Sequence, residues 1–80
     1  MKNKPYEIKS FKRYIPDGIL IKEFREKHGY GLRRTAEAIG ISPTYLVKIE
    51  QGEITGISLK VAHKIDLLFA GKLVPDKRQY

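Results

Sequence analysis

Four glycines, at positions 29, 40, 52 and 71, cut most of this chain into short segments with helical apolar spacing. A glycine just past the last periodic residue stops a helix, because it accepts the left-handed backbone that the stop needs. The segments between these stops also carry start signals. Pro16-Asp17-Gly18 is a break in the chain, and Asp17 can cap the helix after it. In the first helix Ile21, Phe24 and His28 share a face, with Leu20 beside Phe24, up to the stop at Gly29. The second runs from Gly31 to Gly40 and turns Thr35, Ala36 and Ile39 inward. Ser42 caps the third, Pro43 suits its first turn, and Gly52 ends it, with Leu46 and Ile49 as the apolar side and Tyr45 or Val47 flanking. Ser58 caps the fourth, in which Leu59, Ala62, Ile65 and Leu68 or Phe69 form the stripe before Gly71. The pattern predicts an all-α fold.

The flanks are ambiguous. Ile8, Phe11 and Ile15 have helical spacing, which suits an extra helix over Pro5–Tyr14, whereas Tyr6 and Ile8 alternate like a strand. Pro75 limits Leu73-Val74 to an edge or an extended tail. The expected organisation is a basic arm or extra helix over 1–16, a helical domain over 17–71 and a tail over 72–80.

Eighty residues suffice for one domain with a small core. Such a chain has little room for a deep substrate pocket. Cysteine is absent, which removes disulfides, thiolate metal sites and a thiol nucleophile. His28 and His63 have no metal-ligand spacing. No nucleophile–base constellation or glycine-rich phosphate loop is present, so neither enzyme activity nor a cofactor is expected. No apolar run is long enough to span a membrane, and the N-terminus lacks the apolar core of a secretory signal, so a cytoplasmic protein is expected. Sixteen Lys and Arg against nine Asp and Glu leave a net charge of +7. The surplus sits at the ends: +4 over residues 1–14, +2 over 72–80 and only +1 between. This pattern points to an acidic partner, nucleic acid before an anionic membrane. Solvated ends that keep a small domain soluble are the simpler account of the same charges.

The most informative stretch is RRTAEAIGISPTYLVKIEQ, Arg33 to Gln51. Two short helices meet at Gly40-Ile41. Ala36 is small where they approach, and Ile41 and Leu46 plug the angle between them. In such a helix–turn–helix the first helix braces and the second enters the major groove. From Ile21 to Phe69 the chain resembles the Xre/Cro-type, lambda-repressor-like family. The resemblance is carried by Ile21, Phe24, Arg25 and Gly29, by Ala36-Glu37-Ala38-Ile39-Gly40-Ile41-Ser42, by Tyr45-Leu46, Ile49-Glu50 and Gly52, and by Leu59, Ala62 and Ile65. It implies a compact domain of four to five helices, with a basic N-terminal arm and a short C-terminal tail.

The resemblance also implies a function: sequence-specific binding of double-stranded DNA by a homodimeric transcriptional repressor, with helix 42–51 in the major groove of an inverted-repeat operator. Pro43, Thr44 and Lys48 then stand at base-facing positions. Pro43 offers only van der Waals contact, Thr44 can donate, accept or pack its methyl, and Lys48 can donate to guanine. Tyr45 either reaches a phosphate or flanks the core. Ser42 and Gln51 complete this set on the third helix. Arg33 and Arg34 oppose the dipole of the second helix, a placement that suits phosphate binding beside the groove or an exposed pair with no partner. In the same resemblance Arg25 and Glu50 form an ion pair that ties the first helix to the end of the third; two unrelated surface charges are the alternative. Thr35, where the family commonly has Leu, either underfills the core or bonds back to a carbonyl.

Some positions depart from the family pattern. Leu32 replaces a phosphate-binding Gln, Gly31 replaces a capping Ser or Thr, and residues 52–57 hold no Lys or Arg. The segment Pro16–Leu20 with Ile57-Ser58 is similar to the antitoxin branch of the family. The alternative function is therefore an antitoxin-like or adaptor protein whose main partner is another protein, such as a toxin. For a dimer surface, the expected candidates are Ile57, Leu68, Phe69, Leu73 and Val74, or the N-terminal segment.

Overall fold

The computed structural model describes residues 6–8 and 14–75, and the side chains of residues 14–75. Two short strands, β1 (Tyr6–Ile8) and β2 (Tyr14–Pro16), precede four helices: α1 (Gly18–Lys27), α2 (Leu32–Ile39), α3 (Pro43–Glu50) and α4 (Leu59–Phe69). The helical spacing over Pro5–Tyr14 is overridden in the part described. β1 and β2 pair antiparallel, with Tyr6 opposite Pro16 and Ile8 opposite Tyr14. On its other side Tyr14 exchanges two backbone bonds with Ile57, N to O at 3.0 Å and O to N at 2.7 Å. A helix through Tyr14 would bond locally and leave the Ile57 peptide groups, buried beside it, to be satisfied elsewhere. Phe11, the middle residue of the helical spacing, and the cations at 2, 4, 9, 12, 13, 77 and 78 lie outside the described residues.

Each helix starts on an extended residue. Asp17, Ser42 and Ser58 accept hydrogen bonds from the amides of Leu20 (3.1 Å), Tyr45 (3.1 Å) and Val61 (3.3 Å). Such caps are worth about 1 kcal/mol each. Gly31 occupies the same place before α2 and supplies no side-chain cap. The turn into α3 is set at Gly40, whose φ of +93° few L residues tolerate. There the Gly40 and Ile41 amides donate to Ala36 O at 2.8 and 2.9 Å, closing α2 and reversing the chain.

The core gathers Ile21 from α1, Ala36 and Ile39 from α2, Leu46 and Ile49 from α3, Ala62, Ile65 and Leu68 from α4, with Tyr30 and Ile57 from the loops. Phe24 stacks on Phe69 at 4.3 Å between ring centroids. His28 stacks on Phe24 from the exposed side at 4.1 Å, and its Nδ1 donates to Phe24 O at 3.0 Å. So His28 covers the core rim instead of entering it.

Several expectations are corrected here. Leu59 does not join the α4 stripe; it is 62% exposed. Ile57 and Leu68 are buried in the monomer and cannot form a dimer surface. Thr35 makes no bond back to a carbonyl: its Oγ1 is buried and finds no hydrogen-bond partner among the described residues. Leu73-Val74 forms no strand, and Leu73 N donates instead to Leu67 O at 3.2 Å. The remainder of the tail, residues 76–80, lies outside the described residues.

Candidate nucleic-acid interface

The α2–turn–α3 unit leaves one side of α3 uncovered. Leu46, Ile49 and Glu50 face inward, while Thr44, Lys48 and Gln51 are exposed. The spacing 44, 48, 51 is one helix face, which the inward anchoring of Leu46 and Ile49 turns outward. Ser42 is exposed at the start of α3, but its hydroxyl oxygen already accepts from Tyr45 N. Pro43 is half-buried at the first helical position. Tyr45 is half-buried and packs against the core with its ring, as Ile41 and Leu32 do.

At the other end α3 is tied to α1. Arg25 donates from Nε to Glu50 Oε2 at 2.8 Å and from Nη2 to Oε1 at 3.1 Å. Its third group, Nη1, donates to Tyr30 O at 3.1 Å. Both side chains are largely buried, 12% exposed for Arg25 and 5% for Glu50. The parallel pair of bonds fixes the plane of both groups, so it holds α3 against rotation as well as translation. The hydrogen bonds that Arg25 donates to Glu50 raise its pKa, opposed by burial and helped by the charges of Glu50 and Glu26.

Arg33 and Arg34 are exposed in the first turn of α2. Arg34 Nη1 lies 3.3 Å from Glu37 Oε1, both side chains about half exposed, so this contact is weak and readily exchanged for another anion. The structure adds one cation that the sequence pattern did not single out. Lys22, exposed on α1, lines a shallow cavity with Arg25, Glu26, Leu32, Val47, Glu50 and Gln51. It stands one turn before Arg25, a spacing that places it on the same face of α1 and could have flagged it. Among the described residues no three His, Asp or Glu side chains come together as a metal site, and no helix is long and apolar enough to cross a membrane.

Four short helices around one core, with the second and third joined at Gly40 and the outer face of the third left polar, define a helix–turn–helix domain. A profile of the family described as Helix-turn-helix matches residues 21–73. The chain belongs to this Xre/Cro-like helix–turn–helix family, whose members are DNA-binding transcriptional regulators and not enzymes. It is similar to a protein of Thermococcus kodakarensis provisionally named HTH-type transcriptional regulatory protein, with 40% identity over 53 residues, which are 66% of this chain and 16% of that protein. A protein of the same provisional name from Pyrococcus abyssi is 38% identical over 58 residues, 72% of this chain and 18% of its own length. The chain thus spans less than a fifth of these relatives. No solved structure matches it significantly.

Proposed function

We propose that this domain binds double-stranded DNA sequence-specifically as a homodimeric repressor, with α3 in the major groove of an inverted-repeat operator. The observation that carries this reading is the outer face of α3: Thr44, Lys48 and Gln51 are exposed together on a helix whose two ends are fixed, by the Ser42 cap and by the Arg25–Glu50 pair. Lys48 donates to guanine O6 or N7, Thr44 meets a base edge or a thymine methyl, and Pro43 adds van der Waals contact. Ser42, Tyr45 and Gln51 meet the backbone or base edges at the rim. Arg33, Arg34 and Lys22 neutralise phosphates beside the groove, Arg34 releasing Glu37 to do so. Two-fold symmetry sets the half-sites about 34 Å apart, one helical turn. Such a regulator works in the cytoplasm, where the DNA is.

Selection from a random duplex pool at near-physiological salt tests this reading. Convergence on an inverted repeat is the expected result, and no retention by folded protein overturns it. Lys48→Ala should then weaken operator binding by about 1–3 kcal/mol and relax preference at one base position. An unchanged preference would remove Lys48 from the reading set.

A second reading has its own support. Ile19, Leu59 and Val74 are large apolar side chains left 62–70% exposed, and the phosphate-binding Gln and helix-capping residue of the family pattern are absent at Leu32 and Gly31. A protein partner, such as a toxin, would cover exposed apolar side chains of this kind. Stoichiometric co-purification of one protein, with no duplex selected, would favour it.

A further inference from the structure

We infer that Gly18 is a positioning residue for the DNA-reading helix: its missing side chain lets the start of α1 abut the end of α3, and this contact sets where α3 stands. The inference rests on the function proposed above. Gly18 is the first residue of α1 and is buried. A Cβ placed on it would lie 2.2 Å from Ile49 O and 2.7 Å from Glu50 O, the carbonyls that end α3. Carbon–oxygen contacts normally stand at about 3.3 Å or more, so a methyl group here would have to push the two helix ends apart by about 1 Å. The atoms in the way are backbone, which cannot swing aside as a flexible side chain can.

The contact is also electrostatically directed. The positive end of α1 meets the negative end of α3. Asp17 holds the first turn of α1 in place through Leu20 N, and the Arg25–Glu50 pair fastens the same two helices two turns further along α1. Ser42 and the Gly40 turn fix the front of α3. Its rear is therefore held by two contacts with α1, one lateral through Glu50 and one axial through Gly18. Lys48 lies within one turn of Ile49 and Glu50, so an axial push at the rear is carried directly to a base-facing side chain.

The test compares Gly18→Ala with Asp17→Ala, which weakens the same end of α1 without adding an atom against α3. Both are measured beside the wild type on the selected operator and on a random duplex. All are kept well below their unfolding temperatures, with the same stabilising osmolyte added to every sample if any variant requires it. The expected result is that folded Gly18→Ala loses about tenfold or more in operator affinity, the value of one good base contact. Its affinity for the random duplex should stay within about twofold, since phosphate attraction is unaffected. Asp17→Ala should match the wild type on both. Residual dipolar couplings give a second readout without DNA: α3 should reorient relative to α1 in Gly18→Ala and not in Asp17→Ala. Folded Gly18→Ala that binds operator like Asp17→Ala, or shows no reorientation, overturns the inference. So does a Gly18→Ala chain that never folds, because the contact would then be a condition of folding and not a setting of α3. If the wild type itself selects no duplex, the DNA-binding reading has failed, and this assignment falls with it.

Discussion

Removing one partner of the Arg25–Glu50 pair should cost far more than removing both. Glu50→Ala leaves the Arg25 guanidinium largely buried, holding only the Tyr30 carbonyl of its three acceptor atoms. An uncompensated buried charge typically costs 3–5 kcal/mol, and the residual 12% exposure of Arg25 places this case near the lower bound, about 3 kcal/mol. Arg25→Ala strands Glu50, 5% exposed, at a similar cost. A domain of this length has a total stability of about 8 kcal/mol, so either variant remains folded but gives up a third or more of it. Replacing both together, Arg25→Met with Glu50→Leu, should return to within about 1 kcal/mol of the wild type, because apolar packing replaces the pair without desolvating charge. Urea unfolding followed by circular dichroism measures all four chains. With a slope of about 1 kcal/mol per molar urea, each single variant shifts the midpoint by about 3 M, and the double variant by about 1 M or less. Because the Arg25 pKa is raised, its contribution is complete at every pH below the unfolded value and is lost only as pH rises through the folded one, far above neutrality. This group therefore adds no slope to stability between neutral and mildly alkaline pH. Single variants that each lose less than about 1 kcal/mol would refute the reasoning, since that is the behaviour of a solvent-screened pair.

Other outcomes follow from burial. Thr35→Val keeps the shape of a fully buried side chain and removes a hydroxyl with no partner, so it should stabilise by about 1 kcal/mol and raise the melting temperature by about 5 °C. A lower melting temperature would show that the hydroxyl is bonded in solution. Ile57→Ala should cost about 3 kcal/mol in chemical denaturation, because the residue is fully buried although it lies outside any helix. Leu59→Ala, made at a residue 62% exposed, should stay within about 0.5 kcal/mol. Equal losses at 57 and 59 would contradict this assignment of inside and outside.

The four helices were legible because their limits are written in short-range chemistry. Asp17, Ser42 and Ser58 cap within three residues of themselves, and each glycine stop acts on the turn beside it. The exposed face of α3 was legible for the same reason: once Leu46 and Ile49 point inward, residues 44, 48 and 51 point out. What could not be read depends on distant chain. Ile57 packs into the core from a loop and pairs its backbone with Tyr14, far away in sequence, and no local pattern marks that. Leu59 fits the α4 period, but it is the first residue of its helix, where Cβ tilts back past the packed end and over solvent. Gly18 read as punctuation, because the α3 carbonyls that require it lie about thirty residues on. The hairpin strands are three residues each, too short for a period of two to be told from a period of 3.6.

On the proposed reading, a domain that reads DNA with so few side chains obtains precision from how the helix is held. Pro43 has no donor, Thr44 has one hydroxyl, and Lys48 is a point charge on a flexible stem, whereas bidentate base readers are planar. Each of these contacts discriminates only modestly between bases. One rigid, planar group serves the scaffold instead: the Arg25 guanidinium is spent on Glu50 and on Tyr30 O. On the proposed reading, that pair fixes the angle between α1 and α3. On the same reading, direct readout this lean leaves a share of specificity to sequence-dependent groove width and bending, since a rigidly presented helix favours duplexes that already fit it or deform cheaply. The charge distribution agrees with this division. The middle of the chain carries a net +1, while most of the surplus lies in the flanking segments. On the proposed reading, sequence is read by α3 with its supports, and phosphate is met by the cations beside the groove and by the surplus charge of the flanking segments.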